Sequence, residues 1–239
     1  MVSDDAPTGH RPASLRKMFQ GVSDEYDLLN RLLTFGLDRR WRAKATASCL
    51  EDRPEAILDL CCGTGDLLFT IMRRTRDGSR VLGLDFTESM IGKASAAAGR
   101  SKPLILADAG HLPFRGESFD CVAIAFSFRN LLYKNPAIGT YLAEVLRILR
   151  PGGHFVIMET SQPESDVLRK LYHAYLRTIV PFVGGAASGS KGAYTYLGKS
   201  ATKFPASEEV AIILRGAGFS EVTFQPLLLG MVGIHKATK

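Results

Sequence analysis

Short apolar runs alternate with amphipathic stretches through the middle of the chain. The runs are AILDL at 56–60, RVLGLDF at 80–86, PLILADA at 103–109, FDCVAIAFSF at 119–128 and GGHFVIMET at 152–160. Each run has the length of a buried strand, and helical patterns begin near Asp66, Ser89 and Pro136. Strands that alternate with helices indicate βαβ units, so we predict an α/β fold with a doubly wound, mostly parallel sheet.

Two more apolar runs, EVTFQPLLL and MVGIHKA, close the chain after a helical pattern at 207–215. They are close enough in sequence to form a hairpin, which predicts an antiparallel edge and a seven-stranded sheet. Before residue 51 the pattern is helical. The second helix of that region, DRRWRAKATASCL, has Asp38 as its expected N-cap.

The stretch from 166 to 205 does not follow this alternation. It contains an aromatic helical pattern, a Gly- and Ser-rich stretch, and a segment with tyrosines and lysines. A long insertion between two sheet elements is more often functional than idle. We therefore expect a helical N-terminal cap (1–50), an α/β core (51–165), an inserted lid on the acceptor side (166–205), and a C-terminal helix and hairpin that complete the core (206–239).

Composition narrows the class of protein. The net charge is +6 and 46% of the residues are hydrophobic, which is typical of a globular protein. The N-terminus lacks the apolar segment of a signal peptide, and no run approaches the roughly 18 residues that span a bilayer. These features predict a cytoplasmic protein, with peripheral membrane contact left open. The cysteines form no C-x-x-C pair and the histidines are scattered, so we expect buried thiols and no metal site.

The stretch ILDLCCGTGDLLFT, at 57–70, holds the first candidate ligand site. Gly63 and Gly65 follow the first predicted strand, where ligands bind in open α/β sheets. The dinucleotide fingerprint needs a third glycine at 68, where this chain has leucine, and no Lys follows to make a P-loop. The two glycines still allow a tight turn and a close approach of the backbone to a ligand.

Acidic residues follow the next two strands. Asp85 stands 20 positions after Gly65, where an acid can accept hydrogen bonds from ribose hydroxyls. Asp108 and Ala109 follow the third strand, where a carboxylate and a small residue suit an adenine ring. Each acid alone is as consistent with a helix cap, but together they indicate an adenosine pocket without a pyrophosphate clamp. S-adenosylmethionine is therefore favoured over NAD.

These segments resemble the consecutive motifs of class I methyltransferases. They are DLCCGTGD, LGLDFTESMI, ADAGHLPF, FDCVAIAFSFRN and EVLRILRPGGHFVIMETSQP. More narrowly, the chain resembles the C-methyltransferases of ubiquinone and menaquinone synthesis, from MFQGVSDEYDLLN to the terminal GIHK and including YLGKSATKFP. The resemblance implies S-adenosylmethionine as cofactor, bound by Asp59, Gly63, Thr64, Gly65, Asp85, Phe86, Met90, Asp108, Ala109 and Ala125.

The resemblance also implies an acceptor side after the fourth strand. Arg129 and Asn130 are the predicted catalytic residues, because stabilising a phenolate makes the neighbouring ring carbon of a quinol nucleophilic. The alternative for Arg129 is an ion pair with a surface acid or a helix cap. The weaker candidates for substrate binding are Tyr26, Asn30, Tyr194 and Tyr196. Packing against the rest of the protein explains these residues equally well.

The chain departs from the family pattern near the expected acceptor side. AFSFRN replaces Ala-Phe-Gly-Leu-Arg-Asn, ETSQP replaces Glu-Phe-Ser-Lys-Pro, and GKS at 198–200 replaces Pro-Glu-Ser. These departures bear on the identity of the acceptor and not on the fold or the cofactor.

The expected partner is a lipophilic quinol, and no nucleic acid is expected. An apolar segment, YLRTIVPFVGG, with lysines at 191, 199 and 203 suits transient contact with a membrane surface. Packing on the chain's own domain or on a second subunit of a homodimer explains it equally well. Three other functions stay open: methylation of another lipophilic acceptor such as a phenol or a sterol-like compound, a binding module without catalysis, and methylation of RNA.

Overall fold

The computed structural model describes residues 33–98, 103–188 and 191–239. The α-helices are α1 (Asp38–Leu50), α2 (Asp66–Met72), α3 (Glu88–Ala97), α4 (Phe128–Leu132), α5 (Ile138–Ile148), α6 (Asp166–Ser188), α7 (Lys191–Thr202) and α8 (Ser207–Ala217). The strands are β1 (Ala56–Leu60), β2 (Arg80–Asp85), β3 (Leu104–Leu106), β4 (Phe119–Ala125), β5 (Leu149–Thr160), β6 (Glu221–Leu227) and β7 (Val232–Thr238). A short 3₁₀ turn, Leu228–Gly230, joins the last two strands.

The seven strands form one sheet in the order β3-β2-β1-β4-β5-β7-β6. The pairs from β3 to β5 are parallel, while β7 is antiparallel to both β5 and β6. The prediction of a doubly wound, mostly parallel seven-stranded sheet with a C-terminal hairpin is confirmed. The strand order reverses between β1 and β4, so a crevice is expected outside the carboxyl ends of those two strands.

The central strands of the sheet are buried on both faces by helices, as parallel strands require. Alternate residues of the central strands point to opposite faces. Leu58, Val122 and Phe155 pack with α5 and α8 on one face. Ile57 and Cys121 pack with α1 and α2 on the other. This two-sided burial explains why the central strands appear in the sequence as continuous apolar runs.

The lid consists of two helices that pack closely on each other. A Cβ on Gly198 would lie 2.2 Å from the carbonyl oxygen of Leu176, so only glycine permits this approach of α7 to α6. Tyr172, Leu176 and Tyr194 are buried between the two helices. The Gly- and Ser-rich stretch was expected to follow the aromatic helix, but its first residues belong to that helix. α6 continues through Pro181 to Ser188.

Two local predictions are also wrong. Asp38 is not the N-cap of α1 but its first residue, with Leu37 at the cap position. The fourth strand does not extend to Phe128, because β4 ends at Ala125 and Phe128 begins α4. Phe128 is fully buried and its ring lies 6.1 Å from that of Phe155, so it belongs to the core and not to an acceptor surface.

Candidate functional site

The loop between β1 and α2 forms one wall of the site. Gly63 and Gly65 both have positive φ angles, 56° and 92°. A Cβ on Gly65 would lie 2.5 Å from a ring carbon of Phe69, so the position requires glycine for space as well as for conformation. The N–H of Cys62 donates to the carbonyl of Leu84 at 2.9 Å, which ties the loop to the end of β2.

Asp85 ends β2 and faces this loop. Its two carboxylate oxygens accept the backbone N–H groups of Gly63 at 3.0 Å and Thr87 at 2.8 Å. Burial raises the pKa of the carboxyl, and these backbone donors oppose part of that rise. A carboxylate held in this way has a fixed orientation beside the glycine loop, as a partner for ligand hydroxyls must have.

Asp59 lies near the end of β1 and is almost fully buried. Its Oδ2 has no hydrogen-bond partner among the described residues. Burial raises the pKa of this carboxyl to about 8, although an N–H of Leu68 and the charge of Arg42 act in the opposite direction. An ionised carboxylate is costly to bury with an unpaired oxygen, which agrees with the raised pKa.

The other predicted cofactor residues lie at the same edge of the sheet. Phe86 and Met90 follow β2, half-buried and buried respectively. Asp108 and Ala109 follow β3, and the side chain of Asp108 accepts the N–H of Gly110 at 2.7 Å. A small cavity is lined by Arg42, Asp59, Cys61, Cys62, Gly63, Thr64, Asp66, Leu67, Ala125, Phe126 and Ser127.

The described residues at this edge fit an adenosyl amino acid. The glycine loop leaves room for close backbone approach, and Asp85 is oriented at the neighbouring strand end. No group of three or more potential metal ligands occurs within the part of the chain that the structure describes.

A larger cavity of about 350 Å³ lies between the lid, α1 and the end of β4. Its lining is mostly apolar and aromatic, and includes Leu33, Phe35, Trp41, Phe126, Leu171, Tyr172, Tyr175, Leu176, Val180, Tyr194, Tyr196, Leu197, Leu228 and Met231. Arg42 and Phe126 line both this cavity and the small one at the glycine loop. The two cavities are therefore neighbours, separated by the side chains that they share.

Arg129 lines the apolar cavity from the first turn of α4. It is buried, and its Nη1 lies 2.8 Å from Oε1 of Glu159. Its Nε donates to the hydroxyl of Ser200 in the lid at 2.9 Å. The expected alternative of an ion pair with a surface acid is not what the structure shows, because Glu159 is itself buried at the end of β5.

Glu159 is a residue that the sequence analysis did not identify as part of the site. Its carboxylate accepts from the backbone N–H of Arg129 at 3.0 Å and from the N–H of Thr160 at 2.8 Å, in addition to the guanidinium. The available signal was an acid at the end of a strand whose preceding residues, Phe155 to Met158, are all apolar.

Only two of the remaining predicted acceptor residues line the apolar cavity. Tyr194 and Tyr196 both line the apolar cavity, and the ring of Tyr196 lies 6.0 Å from that of Tyr133. Asn130 lines neither of the two cavities, and its Oδ1 is buried without a hydrogen-bond partner among the described residues. Tyr26 and Asn30 lie outside the residues that the structure describes.

The departures from the family pattern have separate structural roles. Gln162, in the ETSQP segment, donates to the carbonyls of Ala201 and Phe204 and pairs with His173, so it joins both lid helices to the core. Ser127 borders the small cavity. Gly198 permits the close helix packing described above.

The four cysteines have free thiols. Burial raises the pKa of the Cys61 and Cys62 thiols well above its usual range. A thiol of raised pKa is a poor nucleophile and a poor metal ligand, which is the behaviour of a structural cysteine. Among the described helices, none is long and apolar enough to cross a bilayer.

Comparisons with a family model and with curated relatives agree on one protein family. The model of the ubiE/COQ5 methyltransferase family matches residues 8–239. The chain is 42% identical over 221 residues to a demethylmenaquinone methyltransferase of Thermus thermophilus, an alignment that covers 91% of this chain and 98% of the relative. It is 36% identical over 231 residues to a ubiquinone/menaquinone biosynthesis C-methyltransferase of Geobacter sulfurreducens, with coverage of 94% and 88%.

Solved structures share the fold at low identity. A 1,6-didemethyltoxoflavin-N1-methyltransferase of Burkholderia thailandensis, with bound S-adenosylhomocysteine, aligns with a TM-score of 0.65 at 19% identity and covers 100% of this chain and 93% of its own. A SAM-dependent methyltransferase of Thermotoga maritima aligns with a TM-score of 0.62 at 18% identity, with coverage of 93% and 99%.

Proposed function

The chain belongs to the ubiE/COQ5 methyltransferase family, and we propose that it methylates a ring carbon of a prenylated quinol in quinone biosynthesis. It is an S-adenosylmethionine-dependent methyltransferase. The relatives named above are C-methyltransferases of menaquinone and ubiquinone synthesis, and they share 36–42% of their aligned residues with this chain. The names of these relatives suggest two acceptor rings, those of menaquinone and of ubiquinone precursors.

The observation that best supports this acceptor is the apolar cavity beside the glycine loop. It offers an aromatic and aliphatic lining with a few buried charged groups, which are Arg129 at the start of α4 and the paired Asp38 and Arg42 of α1. A prenylated quinol has the same distribution of chemistry, with a long apolar chain and a polar ring. Ligand sites commonly combine a hydrophobic lining with a few placed polar groups.

When bound, the cofactor supplies an electrophilic methyl group. The residues proposed to bind it are Asp59, Asp85, Asp108, the glycine loop from Gly63 to Gly65, and their neighbours Phe86, Met90, Ala109 and Ala125. Asp85 and the loop orient the ligand, since both are held by backbone hydrogen bonds. The apolar lining of the larger cavity excludes water from the reacting carbon.

The acceptor must become nucleophilic at a ring carbon. This happens when the neighbouring hydroxyl loses its proton to solvent, which leaves a phenolate. After methylation, the proton on the same ring carbon must also leave to solvent, and its loss restores the aromatic ring. We assign the stabilisation of that oxyanion to Arg129. Its Nη1 and Nε are occupied by Glu159 and Ser200, while Nη2 makes no hydrogen bond to any residue in the described ranges. Glu159 fixes the guanidinium plane. The predicted catalytic role of Asn130 stays a prediction, since Asn130 lines neither cavity.

A binding experiment tests the acceptor cavity. Trp41 is the only tryptophan of the chain and lines this cavity. A prenylated naphthoquinone should therefore quench its fluorescence saturably, and the ring without a prenyl chain should bind more weakly. Leu197→Phe, which narrows the cavity, should weaken the quenching, while Ile212→Phe, at an exposed position of α8, should not. Equal binding in both variants would place the quinone elsewhere.

Another lipophilic acceptor is the second candidate, because the cavity lining recognises apolar character and not a particular ring. The discriminating comparison is between a naphthoquinol, a simple phenol and a sterol-like compound at equal concentration. A higher kcat/KM for either of the last two would replace the quinol in this proposal.

We also propose that the protein contacts a membrane surface. What supports it is an apolar rim, made of the exposed side chains of Phe35, Leu171 and Leu228, all of which also line the cavity. The exposed face of α6 continues this rim with Val167, Ile179 and Phe182 and carries Lys170 and Arg177. Apolar and basic side chains on one helix face suit an anionic lipid surface.

A further inference from the structure

Ser200 is the residue of the lid that meets the buried ion pair of the core. It lies in the last turn of α7, has no exposed surface, and its hydroxyl oxygen accepts from Nε of Arg129 at 2.9 Å. The hydroxyl also lies 2.8 Å from the carbonyl of Tyr196 and 3.1 Å from that of Leu197 in its own helix. A hydroxyl has one proton, and here it is directed to these carbonyls, so the oxygen is oriented as an acceptor for the guanidinium.

Two nitrogens of the Arg129 guanidinium are held and the third is available. Nη1 lies 2.8 Å from Oε1 of Glu159, and Nε donates to Ser200. Nη2 has no hydrogen-bond partner in the described ranges, yet it is not one of the fully shielded unpaired atoms. Because Arg129 lines the apolar cavity, Nη2 is the nitrogen that a group bound there can reach.

The helix that carries Ser200 also forms one side of the apolar cavity. Tyr194 and Leu197 of α7 line it. α7 packs on α6 through the close contact at Gly198, two residues before Ser200. A movement of α7 away from the core would therefore open the cavity and remove Ser200 from Arg129 at the same time.

A purely structural role for Ser200 would be to satisfy a buried donor, since an unpaired Nε is costly in the interior. That role makes no use of Nη2, which keeps accessible surface while the other two nitrogens are held. The two roles also differ in their consequences. A structural hydroxyl affects stability, whereas a hydroxyl that orients Arg129 affects the acidity of a phenol in the cavity.

We propose that Ser200 is a positioning residue for methyl transfer, and that it makes the packing of α7 over the cavity a condition for fast chemistry. Ser200 on Nε and Glu159 on Nη1 fix the planar fork, which leaves Nη2 for the phenolate of the bound acceptor. The inference rests on the proposed function, because it assumes an acceptor that reacts as a phenolate. An acceptor that displaces α7 binds but reacts slowly.

Steady-state kinetics of Ser200→Ala test this role. The variant should lower kcat for the naphthoquinol by about 10- to 100-fold, the range for one lost hydrogen bond to a charged group. KM for the quinol and affinity for S-adenosylhomocysteine should stay near the wild-type values. The pH at half-maximal kcat should rise by about one to two pH units, since a tenfold weaker stabilisation of the phenolate corresponds to one unit.

The matched control is Thr202→Ala. It removes another hydroxyl of α7, one that donates to the carbonyl of Lys199 at 3.1 Å and has no contact with Arg129. This variant should keep the wild-type kcat and pH profile.

The background Arg129→Met, Glu159→Gln separates positioning from packing. Ser200→Ala should lower kcat no further in this background, because the group that it positions is absent. A further loss there would assign Ser200 to the packing of the lid and overturn the proposal. A wild-type kcat in Ser200→Ala alone, or a loss that is equal at every pH, would also overturn it.

A phenol probe measures the same effect without methyl transfer. A 4-nitrophenol with an alkyl chain absorbs visible light as the phenolate, so its pKa can be titrated while it is bound. This pKa should be about one to two units higher in Ser200→Ala than in the wild type, and unchanged in Thr202→Ala. Equal values in Ser200→Ala and the wild type would refute the role of Ser200. The expected difference without any methylation of the quinol would refute the proposed function and leave the role of Ser200 in place.

Discussion

Nη1 of Arg129 lies 2.8 Å from Oε1 of Glu159, and both side chains are buried, the first at the start of α4 and the second near the end of β5. The pair joins the start of α4 to the end of β5, and Ser200 connects it to the lid. A buried ion pair is costly to break, because the remaining charge is left without a partner. The predicted acceptor residue is therefore also part of the scaffold, and its two roles must be measured separately.

Variants of this pair separate catalysis from stability. Arg129→Ala should lower kcat by about 10²-fold, the scale for loss of one charge-stabilising group. It should also destabilise the fold by about 3–5 kcal/mol, because Glu159 is left unpaired. Affinity for S-adenosylhomocysteine should change little. Arg129→Lys should recover part of kcat, since the charge remains without the planar fork.

The double variant Arg129→Met, Glu159→Gln gives the matched control. It removes both charges, so urea unfolding should show most of the stability restored, while kcat stays low. Activity of the arginine variants should return in part at high pH, where the phenol ionises without help. A double variant with wild-type kcat would show that Arg129 serves only the fold.

Asp59 should make stability depend on pH. Burial raises its pKa to about 8 in the folded protein, against about 3.9 in an unfolded chain. Between these values the folded state binds the extra proton. The stabilisation from Asp59 is therefore fully present below about pH 4 and is lost as the pH rises to about 8. Burial also raises the pKa of Asp85, so Asp85 likewise makes stability fall as the pH rises.

Urea unfolding between pH 5 and pH 9 checks the contribution of Asp59. The free energy of unfolding should fall with rising pH in the wild type and should fall less in Asp59→Asn. Asp77→Asn, at an exposed position before β2, should keep the wild-type slope. Equal slopes for all three proteins would show that Asp59 is ionised when the site is empty of ligand.

The neighbouring cysteines should be dispensable for chemistry. Cys61→Ala with Cys62→Ala should retain methyl transfer, at a stability cost of about 1–2 kcal/mol for two partly buried truncations. Both thiols should react slowly with iodoacetamide at pH 8, since their raised pKa leaves little thiolate. Stoichiometric zinc that is lost in the double variant would instead make this pair a metal site.

The apolar face of the lid should bind anionic vesicles. Phe182→Asp and Val167→Asp should each weaken co-sedimentation by about tenfold or more, because burial of one large apolar side chain contributes about 1.5–3 kcal/mol. Ile212→Asp removes an equally exposed apolar side chain from α8 and should have no effect. If Phe182→Asp instead converts a dimer to a monomer in sedimentation, without loss of vesicle binding, the face is a subunit interface.

The sequence was sufficient to predict the sheet, because buried parallel strands appear as separate apolar runs with helical patterns between them. It also predicted the acids at the strand ends, since ligand sites of this fold lie there. It failed where packing overrides local preference. The sequence analysis placed the Gly- and Ser-rich stretch after the aromatic helix, yet α6 extends into it, where α7 packs against it and Gly184 leaves room for the ring of Tyr194.

The site was harder to predict where it depends on distant pairs. Glu159 and Arg129 are 30 positions apart and meet only through the pairing of β4 with β5. Arg42 is one of several arginines in α1, and its sequence context does not distinguish it from Arg39 or Arg40. Only burial and the cavity that it lines show the difference.

The central claim is methyl transfer to a quinol ring carbon, and one assay tests it most directly. The protein is incubated with methyl-labelled S-adenosylmethionine and a reduced lipid extract from a quinone-deficient host, and the lipids are analysed by mass spectrometry and NMR. We predict one labelled methyl group on a ring carbon of the prenylated quinol, and a product level reduced about 10²-fold with Arg129→Met, Glu159→Gln. Label on an oxygen atom, on RNA or on a lipid without a quinol ring would contradict the proposal.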